Sequence, residues 1–242
     1  MTVLGQTMGM PVTTAVQQLR RSPQLPRYVQ ELQSLLTAEH ARRERFYAEM
    51  SEDQKVEFIN GEVFMHSPAR LRHVTVVRNL STLLDIYVSS HNLGYVGHEK
   101  MLVTLTRNDY EPDVVYFGPA KAQTLLPDQM KFPAPDLVVE VLSPSTAEND
   151  RGIKFVDYAA HGVAEYWIVD PDEEVLEQYV LNGETYTLRM KSQTGILQSE
   201  AVPGFAVPVR ALFDEMEKLA AVQALMADRI GGLSLHRTRL RH

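Results

Sequence analysis

The chain has 242 residues, 44% of them hydrophobic and 23% charged, with a net charge of −7 at pH 7 and no cysteine. These values fit a soluble globular chain with a real core and exclude disulfides and cysteine-based zinc sites. No uninterrupted apolar stretch approaches about 18 residues, and no charged start precedes an apolar run. Neither a membrane span nor a secretory signal is therefore expected, and the cytoplasm is the expected location.

The charge is unevenly spread. Residues 1–45 hold six Arg against three Glu, and residues 229–242 hold four Arg and no acid. The stretch between them carries a net charge of −14. A core this acidic repels a phosphate backbone unless metal ions or the basic ends intervene.

Residues 1–23 show no sustained period and are expected to fray. From Leu25 to Met50 the spacing is helical, with Val29, Leu32, Leu36 and Phe46 on one side and the charged run HARRER interrupting it. One or two helices are expected there. In KVEFINGEVFMHS, Asn60-Gly61 between apolar runs predicts a two-residue hairpin pairing Ile59 with Glu62, Phe58 with Val63 and Glu57 with Phe64. Val56, Phe58, Val63 and Met65 form the face expected to enter the core. Glu57 and Glu62 lie on the other face, which reads either as a solvated surface or as the rim of a cleft.

Residues 70–91 carry His73, Val77, Leu80, Leu84 and Tyr87 at helical spacing. A single histidine on such a stripe is more often a hydrogen-bonded core residue than a ligand. Tyr95 to Thr106 reads as a strand, 107–109 as a turn, and Pro112 to Phe117 as a second strand with Asp113, Val115 and Phe117 on one face. A proline-containing connection follows over 118–134. Leu137 to Leu142 is an apolar strand covered on both sides, broken by one carboxylate, Glu140, which needs a cation to compensate its burial.

Ser145 and Glu148 fit a capping box opening a helix over 146–161 that Gly162 stops. Along it Asp150, Lys154 and Tyr158 fall at i, i+4 and i+8, while Ile153, Phe155, Val156 and Ala159 provide apolar cover. Without further context Lys154 reads as an exposed partner of Asp150. Glu165 to Asp170 is a strand, a second hairpin turns about Asn182-Gly183, and 196–209 is extended. A last amphipathic helix covers 211–230, ended by Gly231-Gly232 ahead of a mobile basic tail.

Asp113 and Glu140 lie on consecutive strands, where one sheet face brings the two carboxylates together. Lys154 starts from the next helix and can reach back over that face. Two carboxylates able to hold Mg²⁺ or Mn²⁺, with a lysine beside them, suit hydrolysis of a phosphodiester bond.

The order helix, three strands, helix, strand, with Pro112-Asp113, Glu140 and Lys154, resembles the PD-(D/E)XK nuclease superfamily. More closely, EFINGEVFMHSP, RLRHVTVVRNL, PDVVYF, PDLVVEVLSPST and DRGIKFVDYAAHGVAEYWIVDP are similar to the bacterial family of putative restriction endonucleases, over roughly residues 56–210. That likeness implies a mixed α/β fold with a restriction-endonuclease-like αβββαβ core, an added N-terminal hairpin and terminal helices. It divides the chain into an extension (1–50), a nuclease-like domain (51–210) and a C-terminal helix with a basic tail (211–242). It implies that Asp113 and Glu140 are metal ligands, that Lys154 assists catalysis, and that His73 and Glu62 are accessory. The superfamily's usual lysine position, two residues after Glu140, is Leu142; the resemblance implies that the lysine has moved to Lys154. A DNA-cleaving enzyme, a homo-oligomer and specifically a dimer, is the expectation. The competing readings are a non-catalytic interaction or structural protein on the same fold, and a nucleic-acid-binding module without cleavage.

Overall fold

The computed structural model describes residues 12–51 and 54–238, with side chains over 14–51 and 54–227. The chain begins with α1 (Val12–Arg20) and α2 (Leu25–Glu49), so part of the stretch expected to fray is helical, while residues 1–11 lie outside the described range. The hairpin β1 (Val56–Ile59) and β2 (Glu62–Met65) leads into α3 (Leu71–His91). Then come β3 (Tyr95–His98), β4 (Leu102–Thr104), β5 (Asp109–Tyr110), β6 (Val114–Phe117), α4 (Pro119–Ala122), β7 (Lys131–Phe132) and β8 (Leu137–Val141). The second half holds α5 (Ala147–Arg151), α6 (Ile153–Ala160), β9 (Glu165–Asp170), β10 (Val175–Asn182), β11 (Thr185–Ser192), β12 (Ile196–Gln198), β13 (Ala206–Pro208), a 3-10 turn (Val209–Leu212) and α7 (Glu215–Thr238).

The central sheet has six strands in the order β11-β10-β9-β8-β6-β3, and a second sheet runs β2-β1-β5-β4-β7. Strands β8 and β9 are parallel, as the α5–α6 crossover between them requires, and β8 is antiparallel to β6. Every residue of β8 is buried, and its side chains divide by alternation. Leu137, Val139 and Val141 enter a core with α3, α7 and the chain from Leu197 to Leu212. Val138 and Leu142 enter a second core that includes Val103, Tyr110, Val115, Phe117 and Tyr158. Leu142, at the superfamily's lysine position, is therefore an ordinary core residue.

The Asn60-Gly61 hairpin has the expected register, with both turn residues at positive φ, 52° and 86°. Its faces differ from expectation. Val63 and Met65 are exposed because β2 is the outermost strand of its sheet, whereas β1 is buried throughout between β2 and β5. Phe46 of α2 packs on Phe58, so α2 covers one face of β1, and Glu57 on the other face is buried.

The expected strand from Tyr95 to Thr106 is two strands in two sheets. Glu99 and Lys100 both take the left-handed conformation, and the chain crosses there from the central sheet to the second one. The expected helix over 146–161 is likewise broken at Gly152, which lies outside helical geometry at φ −107°, ψ −100°. Thr146 rather than Ser145 stands at its N-cap and makes no side-chain capping bond, so the Ser145–Glu148 capping box is absent. In the second hairpin Asn182 pairs with Thr185, which puts the turn on Gly183-Glu184, one residue later than expected. Gly183, at φ 65°, is the first turn residue, where glycine meets the backbone demand. Finally, α7 continues through Gly231-Gly232 to Thr238; the last four residues lie outside the described range.

Candidate active site

The site grows from the antiparallel pair β6–β8. Val114 pairs with Val139, so one step further along the ladder Asp113 faces Glu140 on the same side of the sheet. The Val141 N–H donates to Asp113 Oδ2 at 2.8 Å, tying the aspartate to the neighbouring strand. Both carboxylates border a cavity of about 260 Å³. Its lining also includes Lys55, His66, His73, the Ser143–Thr146 turn and Asp172.

Lys154 reaches the same floor from α6. Its Nζ lies 3.1 Å from Glu140 Oε1, 2.8 Å from Glu57 Oε1 and 3.0 Å from Asp150 Oδ1. The Tyr158 hydroxyl donates to Glu140 at 3.2 Å. The row Asp150, Lys154, Tyr158 thus faces Glu140 despite the break at Gly152. The Asp150–Lys154 pair exists, but it is not the exposed pair that spacing alone suggests, for Lys154 is only 1% exposed.

On the other side, Lys55 Nζ lies 2.8 Å and His73 Nε2 3.2 Å from the Asp113 carboxylate. His66 Nε2 is 3.0 Å from Glu57 Oε2. Asp113, Glu140, Lys154 and His73 are therefore brought together. Glu62 is not: it is exposed on β2 and borders a separate surface hollow with Arg42 and Arg45. Its hairpin neighbour Glu57 stands in the site instead. Lys55, Glu57, Asp150 and His66 are site members that sequence reasoning missed. The cleft-rim reading of the Glu57 face and the i, i+4 spacing of Asp150 with Lys154 pointed at two of them; nothing local pointed at Lys55 or His66.

Electrostatics separate the two strand carboxylates. Burial opposes ionisation of Asp113, but Lys55 and His73 outweigh it and hold the carboxyl below its ordinary range. Burial pushes Glu140 well up, and the charges of Asp150, Asp113 and Glu57 add to the effect against the single Lys154. Asp150 is raised by burial as well. Burial also opposes the charge of Glu57, yet Lys154 and His66 bring its carboxyl down to about 2. Lys154 stays charged because Glu140, Glu57 and Asp150 overcome its burial and raise it. Four carboxyl groups crowd around two lysines and two histidines, and Glu140 and Asp150 hold their charge only at a cost that a small cation would relieve.

Among the described residues no group of three or more His, Asp or Glu is arranged to hold a metal ion. The donor chemistry nonetheless fits one hard divalent cation. Mg²⁺ commonly takes one or two protein carboxylates and keeps several waters, and Asp113 and Glu140 supply two adjacent oxygen donors beside a cavity.

Residues 41–210, about 70% of the chain, match the family Uma2, described as putative restriction endonucleases. The chain belongs to the Uma2 family. Its relatives include the Uncharacterized protein sll1609 of Synechocystis sp. (strain ATCC 27184 / PCC 6803 / Kazusa), 29% identical over 152 residues, covering 62% of this chain and 82% of that protein. Among solved structures, a protein from Anabaena variabilis ATCC 29413 described as a putative nuclease belonging to DUF820 superposes with a TM-score of 0.61 at 16% identity. The match covers 69% of this chain and 94% of that one. At that identity the likeness shows a shared fold, the mixed α/β arrangement expected of a nuclease-like chain. The Uma2 match begins inside α2 and spans every residue of the carboxylate–lysine cluster. No helix among the described residues is long and apolar enough to cross a membrane.

Proposed function

We propose that this Uma2 protein is a divalent-metal-dependent nuclease that hydrolyses phosphodiester bonds in DNA. The observation that carries the reading is the placement of Asp113 opposite Glu140 at the edge of a cavity, with Lys154 arriving from the next helix. Asp113 and Glu140 would hold Mg²⁺ or Mn²⁺. When bound, the ion supplies Lewis-acid polarisation of a phosphate oxygen and acidifies a bound water.

The protein's own groups divide the remaining work. Lys55 and His73 keep Asp113 ionised and fix its orientation. Glu57 and Asp150 keep Lys154 protonated, so that it places a permanent positive charge beside Glu140. A lysine in that state donates hydrogen bonds and is no metal ligand. Its role is to stabilise charge developing on the phosphate.

One observation favours a different reading. Lys154 is buried and engaged by three carboxylates, which is also how a purely structural ion cluster looks. A non-catalytic protein that keeps the nuclease fold would need nothing more. The deciding experiment is cleavage of supercoiled plasmid by purified protein in Mg²⁺ or Mn²⁺, with EDTA and the Glu140→Gln protein as controls. Metal-dependent nicking lost in both controls is the expected result. Absence of cleavage together with absence of calorimetric metal binding would leave the structural reading standing.

A further inference from the structure

The mouth of the cavity carries an ion pair that no step above uses. Arg72, in the first turn of α3, reaches Asp172 in the turn after β9, a hundred residues further along the chain. Both side chains border the same cavity as Asp113, Glu140 and Lys154. Both are well exposed, at 56% and 44%.

Neither anchor is loose. Arg72 stands on a helix whose Val76, Val77, Leu80 and Leu84 are buried in the main core. The turn bearing Asp172 is fastened by the N–H groups of Asp172 and Glu173, which both donate to Asp170 Oδ1. Two fixed walls thus present opposite charges to each other across the entrance.

An exposed pair of this kind contributes little to stability. Its position is better explained by what must pass it. The floor of the cavity presents the carboxyl groups of Asp113 and Glu140, so a polyanion entering it finds free positive charge only where the rim supplies it. Of the basic side chains bordering the cavity, Lys55 and Lys154 are already neutralised by carboxylates on the floor. Arg70 and Arg72 are the rim cations, and Asp172 cancels one of them. A phosphate diester offers a guanidinium the same two-oxygen geometry as a carboxylate.

We propose that Arg72 binds a phosphate of the nucleic-acid substrate at the mouth of the cleft, with Asp172 holding its guanidinium until that phosphate displaces it. Asp172 is then an internal competitor. It keeps the arginine extended across the entrance and lowers affinity for any polyanion that cannot replace it. The inference rests on the nuclease reading and adds the residue pair that governs entry to the site.

The test is fluorescence anisotropy of a fluorescein-labelled DNA duplex, with calcium in place of magnesium, across about 50–200 mM salt. Wild type is compared with Arg72→Ala, Asp172→Asn and Arg78→Ala. Arg78 lies on the same helix in a comparable exposed pair with Glu215 but does not border the cavity. Melting curves confirm that each variant is folded. The expected result is that Arg72→Ala weakens binding several-fold and lowers the salt slope by about 0.9, one phosphate contact. Asp172→Asn binds several-fold more tightly than wild type, and Arg78→Ala is unchanged. Equal binding by wild type and all variants overturns the inference and leaves the nuclease reading intact. Equal weakening by Arg72→Ala and Arg78→Ala also overturns it, since general charge is then responsible. Failure of every protein to bind DNA overturns both.

Discussion

Two glutamates at opposite ends of the same parallel strand pair are equally hidden from water. Glu140 lies near the end of β8 and Glu165 opens β9. Glu165 is surrounded by neutral donors: the Trp167 indole, the Gln178 amide, the Ser199 hydroxyl and the backbone N–H groups of Glu200 and Ala201. Those bonds tie β9 and β10 to the segment before β13, and no cation is among them. Glu140 has one lysine and one tyrosine hydroxyl, three other carboxylates nearby, and a cavity beside it. Burial of a carboxylate therefore identifies no role. A complete set of neutral donors marks a structural fastening, whereas crowding with like charge beside open space marks a group held ready for something else.

The largest expected effect breaks the crowded cluster. Lys154→Ala leaves Glu57, Glu140 and Asp150 without their shared cation and is expected to cost about 3–5 kcal/mol at neutral pH. A stability change typical of a surface lysine, about 0.5 kcal/mol, is ruled out by the burial of Lys154. The loss should shrink in acid, because Glu140 and Asp150 already take up protons more readily than ordinary carboxyls. Urea denaturation at pH 5 and pH 8 checks both the size and the trend.

At the other site, Glu165→Ala strands several buried donors and should cost about 3 kcal/mol or more. It should leave metal affinity unchanged. A drop in calorimetric Mg²⁺ affinity without a drop in melting temperature would erase the distinction between the two regions.

Within the cluster, Asp113 and Glu140 should part company. Asp113 has a lowered folded pKa, so its charge stabilises the protein above the ordinary carboxylate range and that contribution is lost as pH falls. Asp113→Asn should therefore destabilise at pH 7. Glu140 has a raised folded pKa, so keeping it ionised is a cost that falls as pH falls. Glu140→Gln should be neutral or stabilising at pH 7. Both variants should abolish Mg²⁺ binding by calorimetry, and an unchanged affinity in both would remove Asp113 and Glu140 as metal ligands.

A smaller effect sharpens the same rule. Glu111 is buried beside Glu57, its Oε2 has no hydrogen-bond partner among the described residues, and its carboxyl is pushed up to about 7. Folding thus favours its protonated form, and stability falls as pH rises from about 4.5 to about 7. Glu111→Gln should gain about 2–3 kcal/mol at pH 8 and nothing near pH 4.5. The smallest effect is at Ser145, which caps no helix; Ser145→Ala should stay within about 0.5 kcal/mol.

These contrasts also separate what is local in the sequence from what is not. Alternation in a strand has a period of two whatever surrounds it, so the sharing of a face by Asp113, Val115 and Phe117, and by Val138, Glu140 and Leu142, was fixed by the residues themselves. Helical spacing likewise aligned Asp150, Lys154 and Tyr158, and Asn60-Gly61 set the hairpin register, because turns and helix faces depend on a few neighbouring torsions. The tertiary structure alone decided which face each element presents to what. Strand β1 is interior and β2 an edge only because β5 pairs with β1 from 51 residues away (Phe58 with Asp109), and that pairing buries Glu57 while leaving Glu62 in solvent. Asp150 meets Lys154 locally at i, i+4, but Lys55 joins the cluster through Asp113, and Glu57, with His66 beside it, through Lys154, by contacts between elements distant in the chain. Such contacts depend on how sheets and helices pack, and no short-range pattern encodes that.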